Sequence, residues 1–246
     1  MKLITFGRLL YRKFFDKKQS ERASYVIAER FASFWYPNVS FSGYGTRWLT
    51  DEEFFNFHQR FMPATRATAD RKFFLRSLLE LVEHLPGDTA ECGAYQGASS
   101  WLICDKFKHS EKTHFVFDSF EGLSLPGDID GDHWTKGNLY AKEEELKAKL
   151  SSFPQLKILR GWIPARFTEV ADRKFCFVHI DVDLYQPTFD SLSFFYPRLV
   201  PGGIILLDDY GFIDCPGATA AIDEVMKSRP ERIVNVPTGQ AFIIKQ

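Results

Sequence analysis

The 246-residue sequence predicts an α/β fold built on a Rossmann-like, mostly parallel sheet of seven strands. Three observations lead to this prediction. From about residue 71 onward, short apolar runs alternate with helical patterns, which is typical of βαβ units. Several of these runs end in glycine or in an acidic residue. The last two runs are separated by the turn "PTGQ", which predicts an antiparallel C-terminal hairpin.

The first 70 residues lack this alternation, and we expect them to form a helical cap or extension. Within them, "TDEE" at 50–53 is typical of a capping box that opens a helix through "FFNFHQRF". The next helix, in "ADRKFFLRSLLELVEHLPGD", is stopped by Pro86 and Gly87. Its apolar spacing predicts a buried face made of Phe74, Leu78, Leu81 and Leu85. We therefore predict two domains, 1–70 and 71–246.

The predicted strands follow in chain order. "DTAECG" is the first, and the helix "ASSWLICDKF" connects it to the second, "HFVFD". After a polar insertion, "LKILRGW" is the third strand, "FCFVHI" the fourth and "GGIILLDD" the fifth, with a helix in "TFDSLSFFYPRLV". "ATAAIDEVMKSR" predicts the last helix, and "RIVNV" with "AFIIK" the hairpin strands. Helical crossovers between successive strands predict parallel pairing.

The composition of the chain excludes some classes of protein. With 45% hydrophobic residues and a formal net charge of −1, the chain can form one sizeable core and does not resemble a disordered or nucleic-acid-binding protein. Its four cysteines form no CxxC pair, so neither a disulfide framework nor a zinc site is indicated. No apolar stretch reaches the roughly 20 residues that span a membrane. We expect a cytoplasmic protein.

The N-terminus has a local charge bias. Residues 1–22 contain seven Lys or Arg and two acids, interleaved with Phe and Tyr. Such a segment can form a basic amphipathic helix that contacts an anionic membrane surface weakly. We favour the alternative that it is an oligomer contact or a solvent-exposed face, and we expect a homo-oligomer.

Acidic residues follow the predicted strands at the edge of the sheet where open α/β folds bind ligands. They are Glu91, Asp118, Asp181, Asp183, Asp208 and Asp209. A single acid at such a place is usually a helix cap or a turn former. Acids in pairs are not explained by capping, so the set as a whole predicts a binding site.

The first strand-to-helix turn, "ECGAYQGAS", predicts the ligand. Gly93 and Gly97 permit a tight turn and close approach of a ligand to the backbone. The acid in this loop would repel a phosphate and favour a cationic sulfonium or amino-acid group. Asp118, at the end of the second strand, is placed to accept hydrogen bonds from both ribose hydroxyls. A sulfonium together with a ribose indicates S-adenosylmethionine (SAM).

The paired acids predict a metal ion. Side chains two apart on a strand face the same way, so Asp181 and Asp183 should point into one crevice if the strand continues that far, near Asp208 and Asp209. Two like charges about 4 Å apart cost about 4 kcal/mol at an effective dielectric constant of about 20. Such a cluster needs a cation or bound protons, and Mg²⁺ is the simplest hard ion for it.

Histidines are weaker candidates. His179 lies inside the fourth strand and is more typical of a core residue than of a metal ligand. His133, in the polar insertion, could reach a substrate, although loop histidines are usually solvated.

Four segments in this order resemble the macrocin O-methyltransferase family, from about Gly87 to the C-terminus. They are "ECGAYQGAS", "FDSFEGL", "HIDVDLYQPT" and "YPRLVPGGIILLDDYG". The resemblance implies a class I SAM-dependent, metal-dependent sugar O-methyltransferase. It implies that Glu91, Gly93, Gly97, Asp118 and Ser119 hold SAM, and in the same loop we also expect Tyr95 and Ser99 to contact it. Gly161 and Trp162 match an element close to the adenine.

The resemblance further implies that Asp181, Asp208 and Asp209 bind Mg²⁺, with Asp181 also beside the cofactor. Asp183 matches the position proposed as the general base, and the base is either this residue or His133. We expect the N-terminal helices and the insertion at about 123–142 to select the acceptor. Two alternatives stay open, namely a Mg²⁺-dependent catechol O-methyltransferase and an inactive SAM-binding module.

Overall fold

The computed structural model of the chain describes residues 3–16, 19–36, 47–65 and 69–246. The chain divides into two compact units, Met1–Arg60 and Phe61–Gln246. This division lies ten residues before the boundary that we predict from the sequence. Within the described ranges, no helix combines the length and hydropathy needed to cross a bilayer.

In the first unit, helices α1 (Leu3–Phe15) and α2 (Ser20–Trp35) pack against each other as a hairpin. The Ser20 hydroxyl donates a hydrogen bond of 2.8 Å to the Lys13 carbonyl, and the Asp16 carboxylate accepts one of 3.2 Å from the Gln19 backbone N–H. These bonds satisfy polar groups where the two helices meet. The prediction of a helical N-terminal extension is confirmed for the described residues.

Helix α3 (Glu52–Thr65) includes the boundary between the units, and its cap differs from the prediction. The carboxylate of Asp51 accepts a 2.9 Å hydrogen bond from the Phe54 backbone N–H, whereas the Thr50 hydroxyl donates to the Arg47 carbonyl. Asp51 is therefore the N-cap, and the capping box that we predicted with Thr50 is wrong. A carboxylate in this position satisfies one of the free N–H groups of the first turn.

Helix α4 (Ala69–Val82) buries a different face from the one predicted. Leu75, Leu78, Leu79 and Val82 are buried, whereas Leu81 is 55% exposed. The buried positions follow the i, i+3, i+4, i+7 spacing of an α-helix. Lys72 lies on the same buried face, because it precedes Leu75 by three positions and Leu79 by seven.

The second unit contains a seven-stranded sheet in the order β3-β2-β1-β4-β5-β7-β6. The strands are β1 (Asp88–Cys92), β2 (His114–Asp118), β3 (Leu156–Arg160), β4 (Phe175–Ile180), β5 (Leu199–Leu207), β6 (Val234–Asn235) and β7 (Ala241–Ile244). The first five pair in parallel, and β7 pairs antiparallel with both β5 and β6. The predicted mostly parallel sheet with a C-terminal hairpin is confirmed.

Helices connect these strands. They are α5 (Ala98–Lys106), α6 (Glu143–Lys149), α7 (Tyr185–Phe195) and α8 (Pro216–Met226). Helix α6 is absent from our prediction, because the seven residues of "EEELKAK" offer one buried apolar position, Leu146. A short 3₁₀ turn, Asp128–Asp130, lies in the polar insertion.

The core is rich in aromatic side chains that meet edge to face. The Phe117 ring lies 5.1 Å from the ring of Phe167 and 5.8 Å from that of Phe195, and Phe175 lies 5.1 Å from Phe195. Such pairs add about 0.5–1.5 kcal/mol each beyond the burial of their area. This packing fixes the central strands under the ligand-binding edge of the sheet.

The register of the central strands brings their carboxyl ends to one level. Cys92 of β1 lies opposite Ile180 of β4, which lies opposite Leu207 of β5. The Asp181 N–H then bonds the Cys92 carbonyl, and the Asp208 N–H bonds the Ile180 carbonyl, both at 2.9 Å. The residues that follow three neighbouring strands therefore meet at one edge of the sheet.

Candidate active site

A cavity of about 570 Å³ lies beyond the carboxyl ends of β1, β2, β4 and β5. Most of the predicted site residues border it. They are Gly93, Tyr95, Asp118, Ser119, Gly161, Trp162, Asp181, Asp183, Asp208 and Asp209. Cavities of 300–1,000 Å³ at this edge of an α/β sheet are the usual size and place for a small-molecule ligand.

Gly93 lets the end of β1 approach the end of β4. Its φ is +80°, and a Cβ atom there would lie 1.9 Å from the Asp181 carbonyl oxygen. The sequence suggested that this glycine makes room for a ligand, but the structure shows that it also makes room for the neighbouring backbone. Any larger residue would separate the loop from Asp181.

Three residues predicted to hold the cofactor do not border the cavity. Gly97, at φ +85°, begins helix α5, and a Cβ atom there would contact the Leu150 side chain at 3.3 Å. Ser99 is buried, and its hydroxyl accepts a 2.7 Å hydrogen bond from the Lys72 ammonium. The third residue, Glu91, lies within strand β1 and is buried.

Glu91 is 1% exposed, and its carboxylate is held by protein groups. It accepts hydrogen bonds from the Ser100 hydroxyl and from His179 Nδ1, the latter at 2.9 Å. His114 Nε2 lies 3.9 Å away. Burial alone would raise the pKa of Glu91, but the two imidazoles outweigh it and hold the pKa below its usual range. These partners are protein groups and Glu91 does not border the cavity, so its contact with SAM stays a prediction.

His179 links two of the strand-end acids. Its Nδ1 faces Glu91, and its Nε2 lies 3.1 Å from Asp208 Oδ1. Asp208 also accepts a 2.5 Å bond from Gln240 Nε2 and forms an ion pair with the Arg71 guanidinium. His179 therefore bridges Glu91 and Asp208 in the interior, and it is the core residue that we favoured.

Two cations of helix α4 were missed by the sequence argument. Arg71 pairs with Asp208 and lies 3.8 Å from Asp209 Oδ1, and the Lys72 ammonium lies 3.8 Å from Asp181 Oδ2. The chain thus supplies part of the positive charge that we assigned entirely to a metal ion. The spacing of Lys72 from Leu75 and Leu79 is a signal that could have shown that it faces inward.

Asp181 and Asp183 both border the cavity, but not for the predicted reason. Strand β4 ends at Ile180, so the alternation of side chains does not extend to Asp183. Asp183 has a φ of +60°, which is a strained conformation for a residue other than glycine. Its backbone N–H donates a 3.0 Å bond to Asp209 Oδ2. This turn places Asp183 beside Asp209 rather than beside Asp181.

Asp183 and Asp209 carry the negative charge that remains uncompensated. Burial, together with Asp209 and Asp181, raises the pKa of Asp183 well above its usual range. Burial and Asp181 raise the pKa of Asp209 to about 7, against the opposing effect of Arg71. Two neighbouring carboxyl groups with raised pKa values in the wall of a cavity fit acid-base chemistry or the binding of a cation.

Among the described residues, two groups of side chains could each hold a metal ion. Within each group, the potential ligand atoms all lie within 4.8 Å of one another. One is His179, Asp181 and Asp208, and the other is Asp183, Asp209 and Cys215. The predicted metal set of Asp181, Asp208 and Asp209 is therefore divided between them. The carboxylate oxygens suit Mg²⁺. Cys215 does not, since burial raises the pKa of its thiol and keeps it neutral.

Asp118 clamps the first turn. One of its oxygens accepts bonds from the backbone N–H groups of Ala94 and Tyr95, at 2.8 and 3.2 Å, and the other accepts a 2.7 Å bond from that of Phe120. Burial raises the pKa of Asp118 despite these bonds. The carboxylate borders the cavity, where the oxygen bonded to Phe120 has a second lone pair for a ligand hydroxyl.

The polar insertion forms part of the cavity wall through Leu123, Ser124, His133, Trp134 and Leu139. His133 Nδ1 lies 3.5 Å from Asp214, and both side chains are about half exposed. Trp134 Nε1 donates to the Cys215 sulfur at 3.5 Å.

Asp130 anchors the insertion. This residue is buried, and its carboxylate accepts bonds from the backbone N–H groups of Gly127 at 2.8 Å and Tyr185 at 2.7 Å. Gly217, at the start of α8, leaves space for it, since a Cβ atom there would lie 1.9 Å from Asp130 Oδ1. The insertion is thereby fixed to the beginnings of α7 and α8.

The chain was compared with known proteins. The model of the macrocin-O-methyltransferase family matches residues 69–236. The 8-demethyl-8-(2,3-dimethoxy-alpha-L-rhamnosyl)-tetracenomycin-C 4'-O-methyltransferase of Streptomyces olivaceus is 30% identical over 152 residues, which is 56% of this chain and 58% of that protein. The demethyldecarbamoylnovobiocin O-methyltransferase of Streptomyces niveus is 29% identical over 155 residues, 57% and 58% of the two chains. The alignments span less than two thirds of these relatives' lengths.

Among solved structures, the calicheamicin methyltransferase CalS11 superposes with a TM-score of 0.63 at 22% identity, covering 81% of this chain and 89% of that one. At this identity the likeness concerns the fold alone. It confirms the predicted Rossmann-like architecture.

Proposed function

The chain belongs to the macrocin O-methyltransferase family, and on that premise we propose that it transfers a methyl group from SAM to a hydroxyl of a sugar-containing acceptor, with help from Mg²⁺. The observation that carries the proposal is a cavity lined by two chemically different sets of groups. One set is the turn after β1 with Asp118, and the other is Asp183 with Asp209. The rhamnosyl substrate in the name of the Streptomyces olivaceus relative supports a sugar acceptor.

The cofactor would lie along the turn after β1. Gly93 and Tyr95 present backbone there, Asp118 would accept hydrogen bonds from the ribose hydroxyls, and Gly161 with Trp162 would flank the adenine. Trp162 is 39% exposed, so a flat apolar surface is available for a base to stack on.

We propose that residues 71–246 form the SAM-binding catalytic domain and that residues 1–70 are a helical cap or extension.

We propose that Asp181, Asp208 and Asp209 hold the metal. Bound Mg²⁺ would supply the positive charge that favours the deprotonated form of an acceptor hydroxyl. The surplus of carboxylates over Arg71 and Lys72 fits a divalent cation in this part of the cavity wall. The ion pair of Arg71 with Asp208 would have to open when the metal binds.

The chain's own residues perform the remaining steps. Asp183 would accept the hydroxyl proton, because it borders the cavity and its raised pKa makes it a stronger base than an ordinary carboxylate. The reaction forms one C–O bond, breaks one S–C bond and transfers that proton to Asp183. The insertion, with Trp134 and Leu139 in the cavity wall, would exclude water and orient the acceptor.

A substrate panel tests the proposal. We expect the purified chain with SAM and Mg²⁺ to release S-adenosylhomocysteine (SAH) in the presence of a glycoside or a nucleotide-linked sugar, but not of a catechol. Calorimetric binding of SAH should accompany this turnover. SAH binding without turnover on any acceptor would instead favour an inactive SAM-binding module, and turnover on catechols would favour the second alternative.

We propose that helices α1 and α2 provide a contact between copies of the chain. Exposed aromatic side chains lie along both, and four of them are Phe14, Phe15, Phe34 and Trp35, each at least 72% exposed. Exposed apolar groups in such a number are typical of interaction surfaces. Light scattering should show an oligomer that a Phe14→Ser, Phe34→Ser double variant dissociates. A monomer that co-sediments with anionic vesicles would instead support membrane contact.

A further inference from the structure

Lys72, which pairs with Asp181 in the cavity wall, has no role in the reaction described above. Lys72 is 8% exposed, yet its side chain borders the cavity. Its ammonium donates a 2.7 Å hydrogen bond to the Ser99 hydroxyl and lies 3.8 Å from Asp181 Oδ2. Asp181 borders the same cavity, so a positive and a negative group face the ligand side by side.

Burying an ammonium is costly, and its surroundings oppose part of that cost. Burial lowers the pKa of Lys72, whereas Asp181 raises it. The helix face explains how the lysine comes to be buried, since Lys72 lies in line with Leu75 and Leu79. A lysine retained in such a place is typical of a functional group rather than of a surface charge.

The chemistry around Lys72 fits a carboxylate. Ser99 lies in the first turn of the nine-residue helix α5, where backbone N–H groups lack partners within the helix. The Ser99 oxygen accepts from Lys72, so its hydrogen remains available to donate to an anion. The lysine, the hydroxyl and the helix N-terminus together form an anion-binding corner beside the cavity.

The chemistry around Asp181 fits the opposite charge. Its side chain is 28% exposed, more than that of Lys72 at 10%, so its free oxygen can reach a ligand cation. Gly93 holds the loop against the Asp181 backbone, which keeps this carboxylate next to the turn where the cofactor would lie. A neighbouring ammonium and carboxylate are complementary to the carboxylate and ammonium of an α-amino acid.

We propose that Lys72 and Asp181 are the receptor for the amino-acid end of SAM. Lys72 binds the carboxylate of that end, and Asp181 binds its ammonium. The inference rests on the proposed function, because it takes SAM as the cofactor. Ser99 does not border the cavity, so its part is to orient the Lys72 ammonium through their hydrogen bond. Lys72 is thereby a cofactor-binding residue that "ADRKFF" does not reveal.

The test compares SAH with decarboxylated SAH, which lacks the carboxylate alone, by calorimetry on the wild type and a Lys72→Met variant. The wild type should bind decarboxylated SAH about 10- to 100-fold more weakly than SAH, as expected for the loss of a charge-assisted hydrogen bond. Lys72→Met should bind SAH and decarboxylated SAH with the same affinity, which should be close to the weak affinity of the wild type for decarboxylated SAH. Arg232→Gln removes an exposed positive charge elsewhere and should behave as the wild type.

Each result has one meaning. If Lys72→Met lowers the affinity for both ligands by the same factor, so that the variant still prefers SAH, the lysine supports the fold of the site and the inference is wrong. If the wild type binds the two ligands with equal affinity, no cation of the site binds the carboxylate and the inference is wrong. This result does not depend on any variant. If the wild type binds neither ligand, the proposed cofactor itself is wrong. Lys72→Arg keeps the charge and should retain the preference for SAH.

Discussion

Replacing Asp183 with asparagine is expected to lower the turnover of methyl transfer by about 10³-fold, because a positioned general base contributes about 10²- to 10⁴-fold. The residue is 7% exposed, and its backbone is held in a strained conformation by the bond from its N–H to Asp209. Asparagine has nearly the same shape but cannot accept the hydroxyl proton. The loss should therefore appear in kcat, while SAH affinity changes little.

The pH dependence of turnover provides a second readout. A base works only when deprotonated, so wild-type turnover should rise with pH and level off above the raised pKa of Asp183. Burial also raises the pKa of Asp209, to about 7, and Asp209 interacts with Asp183, so the measured midpoint belongs to the pair. Asp183→Asn should remove most of this rise.

An exposed acid is the matched control. Asp172→Asn removes an exposed carboxylate outside the cavity and should keep wild-type turnover. If Asp183→Asn retains more than about one tenth of the activity, its effect lies below the range of a general base. His133, the other candidate that borders the cavity, would then be the base, and His133→Gln should show the loss instead.

Replacing Glu91 with alanine is expected to lower the free energy of unfolding by about 3 kcal/mol, because each buried hydrogen-bond donor left without its acceptor costs about 1–3 kcal/mol. Glu91 is 1% exposed and accepts hydrogen bonds from Ser100 and His179, with His114 nearby. The variant leaves these donors without an acceptor in the interior. Urea denaturation followed by circular dichroism measures the change.

Glu111→Ala, which removes an exposed carboxylate, should change the free energy of unfolding by no more than about 0.5 kcal/mol. A Glu91→Ala variant that is as stable as the wild type but no longer binds SAH would contradict the structural role. It would restore the interpretation that this carboxylate faces the cofactor.

The sheet could be predicted from the sequence because each strand is marked by residues that are consecutive in the chain. Apolar runs such as "FCFVHI" and "GGIILLDD" mark strands, and the acids after them follow from the rule that ligands bind at the carboxyl ends. The exact pairing of Cys92, Ile180 and Leu207 fixes which acids meet, and this register becomes visible only in the assembled sheet.

The residues that were missed depend on tertiary context. "ADRKFF" looks like the charged start of an exposed helix, so the sequence did not indicate that Arg71 and Lys72 reach the acids of β4 and β5. Glu91 lies in a strand that is buried on both faces, where alternation does not tell which side carries the ligand. Asp183 turns away from the strand path through a positive φ that no sequence period predicts.

Removing and restoring the metal ion tests whether the strand-end acids hold a metal that methyl transfer requires. Methyl transfer from SAM to a sugar acceptor should be measured by SAH release after treatment with a chelator and again after addition of MgCl₂, for the wild type and for Asp181→Asn. We predict that the chelator abolishes wild-type activity, that Mg²⁺ restores it, and that Asp181→Asn stays inactive in both conditions. Undiminished activity of both proteins in the chelator would contradict a site in which these acids hold a metal.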